Sequence, residues 1–125
     1  MDGRKKHLTQ GETQVMNILW GLPGQEGFAA DIMKQYPNPK PAMTTLLTFL
    51  KILKDKGYVS SRKEGRSYLF KAKLDKDVYA GSFLSEVKDT LFGGSFTSLV
   101  SFFVHNEKLT DKDIEELKDI VKNLE

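Results

Sequence analysis

The segment spanning residues 42–56 constrains this chain most. Leu46, Leu50 and Leu53 recur at spacings of four and three, which puts them on one stripe of a helix, and Met43, Leu47 and Phe49 widen that apolar face. Thr44, Thr48, Lys51 and Asp55 recur at helical spacing on the opposite side, with Thr45 and Ile52 at the border. Such a helix must be packed along its leucines and leaves a row of small hydroxyls and one lysine in solvent. Gly57 is its natural stop. Directly afterwards the apolar period shortens. Residues 58–63 have strand character, Glu64-Gly65 makes a turn, and residues 67–71 return as a second strand rich in aromatics. A polar-faced helix followed at once by a hairpin with Arg62, Lys63 and Arg66 at its tip is the arrangement of a recognition helix and its wing.

The flanking segments support this reading. Thr9 and Glu12 stand at capping-box spacing, ahead of a helical stripe of Val15, Met16, Ile18, Leu19 and Trp20 that Gly21-Leu22-Pro23-Gly24 ends. A short second helix is expected over 28–35. It is followed by a proline-rich turn whose Pro41 suits the first position of the leucine-striped helix. Beyond the hairpin a further helix is expected over 75–91. Phe92-Gly93-Gly94 breaks it, Ser95 caps an apolar successor, and Thr110 caps a last helix led by Asp111 and Asp113. The expected fold is mainly α with a small β hairpin. Residues 1–73 form a winged helix-turn-helix domain for binding DNA, and residues 74–125 form a helical dimerisation region.

Charge divides at the same place. Residues 1–73 hold 13 Lys/Arg against 6 Asp/Glu, and residues 74–125 hold 6 against 11. The first part is suited to a polyanion and the second is not. The wing cations could lie along a phosphate backbone, and the threonines could touch base edges. Arg4, Lys5 and Lys6 form a short basic arm. In the acidic part, Phe83, Leu84, Leu91, Phe96, Leu99, Phe102, Phe103 and Leu117 are more apolar surface than so short a segment can cover, which points to a second copy. The chain has no cysteine, hence no disulfide or thiolate metal site, and its two histidines, His7 and His105, have no metal-ligand spacing. No cofactor, metal or catalytic group is expected. No apolar run approaches the length of a membrane span, and the polar start lacks a secretory pattern, so a cytoplasmic protein is expected.

The chain resembles the BlaI/MecI penicillinase repressor family, to which the copper-responsive CopY proteins also belong. The landmarks are Leu8-Thr9, Glu12, Val15-Met16 and Ile18-Leu19-Trp20, then Ala42-Met43-Thr44-Thr45-Leu46-Leu47-Thr48 and Lys56-Gly57-Tyr58-Val59. They continue through Lys63-Glu64-Gly65-Arg66-Ser67-Tyr68, Phe92-Gly93-Gly94-Ser95, Leu99-Val100 and Asp113-Ile114-Glu115-Glu116-Leu117. The resemblance implies a dimeric repressor of antibiotic-resistance or metal-response operons. It puts DNA reading on Thr44, Thr45 and Thr48 and backbone contacts on Lys51, Lys63 and Arg66. In the β-lactam branch a membrane sensor-transducer protease cuts the repressor in its dimerisation region. That bond would fall here between Phe102 and Phe103, where β-lactam repressors show Asn-Phe. Copper sensing through C-terminal cysteines is excluded, since the chain has none. Two other functions fit the same shape: a winged-helix regulator that senses a small ligand directly, and a winged helix that only binds proteins.

Overall fold

The computed structural model describes residues 7–124. Arg4, Lys5 and Lys6 lie outside them. Six α-helices and a three-stranded antiparallel sheet are present among the described residues: α1 (Gln10–Gly21), β1 (Glu26–Phe28), α2 (Ala29–Gln35), α3 (Met43–Asp55), β2 (Val59–Glu64), β3 (Ser67–Ala72), α4 (Lys76–Leu91), α5 (Phe96–Asn106) and α6 (Asp111–Lys122). The chain divides into two compact units between Ser82 and Phe83, within α4.

In the first unit, α1, α2 and α3 bury Val15, Met16, Leu19, Ile32, Leu46, Leu50 and Leu53 in one core with Tyr58, Val59 and Ala72 of the wing. Each covered aliphatic side chain stabilises the fold by about 2 kcal/mol. The expected capping box is formed: Thr9 Oγ1 accepts from the Glu12 amide at 3.3 Å, and Glu12 accepts from the Thr9 amide at 3.1 Å. The sheet has one strand more than the expected hairpin. β1 pairs with β3 in the order β1-β3-β2, so Phe28 ends a strand and α2 begins one residue later than its pattern suggested. A three-residue Glu-Gly-Phe strand is too short to show alternation. Gly27 fits there because a Cβ would lie 2.7 Å from Leu22 Cδ1. Pro41 precedes the N-cap, Ala42, instead of opening α3.

The start of α4 belongs to this unit. Tyr79 packs on Tyr58, with ring centroids 5.6 Å apart, and its hydroxyl accepts from the Leu8 amide at 3.2 Å. Trp20 Nε1 donates to the Leu74 carbonyl at 2.9 Å.

The second unit holds the end of α4 with α5 and α6. Ser95 caps α5 by accepting from the Ser98 amide at 3.0 Å, and Thr110 forms a capping box with Asp113. Leu99 is the only buried residue among its described residues, while Phe83, Leu84, Leu91, Phe96, Phe102, Phe103 and Leu117 are exposed. Leu99 is therefore covered by its own chain. No helix among the described residues is long and apolar enough to cross a membrane.

Candidate nucleic-acid interface

Three devices position α3. At its end Lys56 is the C-cap and Gly57 takes a left-handed φ of 86°. The Gly57 amide donates to the Lys54 carbonyl at 3.0 Å and the Tyr58 amide to Leu53 at 2.8 Å, a Schellman turn that sends the chain straight into β2. At the same end, Lys56 Nζ donates to Glu12 Oε1 at 2.6 Å, tying α3 to the first turn of α1. Glu12 is 4% exposed. Burial pushes its carboxyl up, but the Lys56 ammonium and the Thr9 donors outweigh this and hold it below the usual carboxylate value. Burial, with Tyr79 and Glu12 adding to it, pushes the neighbouring Tyr58 phenol up to about 12.

Before α3, the Lys40 ammonium donates to the carbonyls of Met33, Tyr36 and Lys34 at 2.9, 2.7 and 3.3 Å, covering the open end of α2. It thereby holds the turn that leads into α3. Lys40→Met keeps the stem and removes the donors. It is expected to lower stability by about 1 kcal/mol in denaturant unfolding at neutral pH. A variant indistinguishable from wild type would mean that water replaces the amine.

The outward face of α3 carries Thr44, Thr45, Thr48 and Lys51, all exposed. Thr48 Oγ1 donates back to the Thr44 carbonyl at 2.9 Å, so the hydroxyl proton is engaged while the oxygen can still accept. Lys51 pairs with Asp55 at 3.0 Å across one turn, with both side chains in solvent. Such a pair is worth only about 0.3–0.5 kcal/mol, so Lys51 can readily exchange it for a phosphate. Met43 and Leu47 do not widen the buried face as their pattern suggested: they are 41% and 45% exposed, and Phe49 alone of the three is half-buried. At about 100° per residue Leu47 falls about 90° from the centre of the stripe formed by Leu46, Leu50 and Leu53, whereas Met43 is the first residue of α3.

The wing is a two-residue hairpin in which Glu64 pairs with Ser67 and Gly65 supplies a φ of 65°. Period-two alternation separates its cations. Lys63 shares a face with its partner Tyr68, whereas Arg62 shares the other face with its partner Leu69. There Arg62 Nε donates to Glu64 at 2.7 Å and its guanidinium reaches Glu26 at 3.5 Å. The hydrogen bond to Glu64, helped by Glu26, raises the pKa of Arg62. Lys63 and Arg66 are exposed and form no ion pair with another described residue. Arg62 therefore braces the wing against β1, while at the tip Lys63 and Arg66 keep their charge uncommitted among the described residues.

A sequence-family model described as penicillinase repressor matches residues 8–123. The chain belongs to the penicillinase repressor family. The match begins beside the Thr9–Glu12 capping box and ends at Asn123, the C-cap of α6, so it spans both units. Among its relatives, a penicillinase repressor from Staphylococcus aureus is 28% identical, covering 99% of this chain and 98% of the relative. The methicillin resistance regulatory protein MecI of S. aureus strain N315 is 25% identical, covering 97% and 98%. A penicillinase repressor from Bacillus licheniformis is 24% identical, covering 92% and 89%. Among the described residues of this family member, no group of three or more His, Asp or Glu could hold a metal ion. The Glu12–Lys56 tie and the Lys40 cap had gone unnoticed in the sequence. Glu12 carried a signal, since it lies on the buried stripe of α1 with Val15, Met16 and Leu19, where an acid needs a cation. Lys40 carried none, because what it caps is seen only in space.

Proposed function

We propose that this protein is a transcriptional repressor that binds double-stranded operator DNA as a homodimer. In this reading residues 1–73 form the DNA-binding domain, and α3 enters the major groove of each half-site of a palindromic operator. Thr44, Thr45 and Thr48 face base edges, Lys51 faces a phosphate, and Lys63 and Arg66 of the wing lie on the backbone, with Arg62 bracing them from behind. Residues 74–125 form the dimerising helices. The names of the relatives point to β-lactam-resistance genes as the regulated targets, and the site of action is the cytoplasm. The observation that carries the reading is the exposed Thr44–Thr48–Lys51 row beside a wing with two uncommitted cations, in a chain of a repressor family.

The division of roles is tested by fluorescence anisotropy on operator and random duplexes over a range of salt. Lys63→Ala is expected to weaken binding to both duplexes alike and to reduce the salt slope by about 1 per protomer. Thr48→Ala is expected to lower the preference for operator over random DNA with the salt slope unchanged. Equal losses on both duplexes for both variants would end the division. Salt-indifferent binding, or none, would favour a protein-interaction module.

Release follows from the same reading. Cleavage between Phe102 and Phe103 by a membrane sensor-transducer protease would sever the dimerising region. Both residues lie inside α5, where the Phe102 carbonyl accepts from Asn106 Nδ2 at 2.8 Å and the Phe103 carbonyl from the Glu107 amide at 3.0 Å. Proteases take extended substrates, so the last turns of α5 must open before the bond is reached.

A further inference from the structure

Among the described residues of the first unit, four large apolar side chains are exposed: Met43, Leu47, Tyr68 and Val78. Three of these four lie on the recognition helix and the wing. Met43 and Leu47 are four residues apart and so are neighbours along α3. Leu47 also stands three residues after Thr44 and four before Lys51, which places it against the polar row. The other leucines of α3, at 46, 50 and 53, are fully covered. Leu47, by contrast, is left 45% exposed by the described residues.

The surroundings indicate what covers it. Lys51, Lys54, Lys63 and Arg66 are all exposed on α3 and the wing, so a partner there must be anionic overall. It must also offer something small and apolar beside hydrogen-bonding groups. In the major groove of DNA, the C5 methyl of thymine is that group. We propose that Leu47, with Met43 beside it, reads a thymine methyl in each operator half-site. This assignment rests on the reading of α3 as the major-groove helix, and adds the base that its apolar edge selects.

The test starts from a random duplex pool, from which the full-length wild-type protein selects its preferred sequence. In the enriched duplex each thymine is then replaced by uracil at equivalent positions of both half-sites, which removes only the methyl. Affinity is measured by anisotropy. Loss of one methyl-sized contact is worth roughly fourfold, so one position is expected to weaken wild type roughly fifteenfold when both half-sites are changed. Leu47→Ala is expected to lose less than twofold on the same replacement, while Leu47→Met, which keeps an apolar contact, retains most of the sensitivity. Because Leu47 is exposed, thermal unfolding of both variants should match wild type. A wild type indifferent to every uracil replacement would overturn the assignment and leave DNA binding intact. So would a Leu47→Ala variant as sensitive as wild type, since another residue would then read the methyl. Failure to enrich any sequence from the pool would overturn the operator reading itself, and the thymine assignment with it.

Discussion

Replacing Phe96 and Phe103 together by aspartate is expected to leave a folded monomer and to weaken operator binding at least about 100-fold at physiological salt. The reason is the economy of the second unit. It buries Leu99 and leaves Phe96, Phe102, Phe103, Leu117, Ile120 and Val121 exposed, more apolar surface than a monomer keeps in water. A second copy would cover it, and a carboxylate forced into such an interface has no partner there. Folding of the first unit should survive, because its core of Val15, Leu19, Leu46, Leu50 and Leu53 lies elsewhere. DNA affinity should not survive. A monomer keeps half the phosphate contacts and one half-site, and specific affinities of about 10⁻⁸–10⁻¹¹ M depend on both. Sedimentation equilibrium and anisotropy on one operator duplex check the two halves of the expectation. A variant that is monomeric yet binds like wild type would remove dimerisation from the mechanism.

The second large effect lies at the joint between α1 and α3. Glu12→Ala is expected to destabilise the protein by about 3 kcal/mol at neutral pH. It removes the acceptor of the Thr9 amide and strands Lys56, whose side chain is only 20% exposed. Lys56→Met is expected to cost about as much, because it leaves Glu12 buried without a cation. The double variant Glu12→Gln, Lys56→Met should lose less than the sum of its singles by at least about 1 kcal/mol. The pH dependence has a definite sign. The Glu12 carboxyl is lowered in the folded protein from an ordinary value of 4.5. Its contribution is therefore fully present above pH 4.5 and is lost as the pH falls below that, through the lowered folded-state value. The stability gap between wild type and Glu12→Gln should narrow on acidification over that range in urea titrations. A gap constant from pH 7 to pH 3 would show that the charge of Glu12 contributes nothing.

The winged helix was legible because its cues are local. Thr9 with Glu12, Ser95, and Thr110 with Asp113 announced three helix starts, and each cap is formed with the expected donors and acceptors. Gly57 announced the turn from helix to hairpin, and the Schellman bonds are there. The Leu46, Leu50 and Leu53 stripe faces inward and Thr44, Thr48 and Lys51 face outward, as their spacing requires. β1 escaped because three residues do not make a period.

At the candidate interface, local pattern and tertiary fact part at two residues. Arg62 looked equivalent to Lys63 and Arg66, as three cations within five positions of one hairpin. Strand alternation turned Arg62 to the other face, and β1, invisible in the pattern, brought Glu26 to meet it. Leu47 looked like core because it is apolar and near the leucine stripe. Only the placement of α1 and α2 decides how wide that stripe is buried, and they stop short of it. The order of the helices, the side-chain caps that open α1, α5 and α6 and the face α3 presents follow from the sequence alone, since each depends on residues within a turn or two of one another. Which cations stay free, which apolar side chains stay bare and what pins α3 to α1 were decided only by the tertiary structure. Those properties depend on neighbours distant in the chain, such as Lys56 beside Glu12, 44 residues apart.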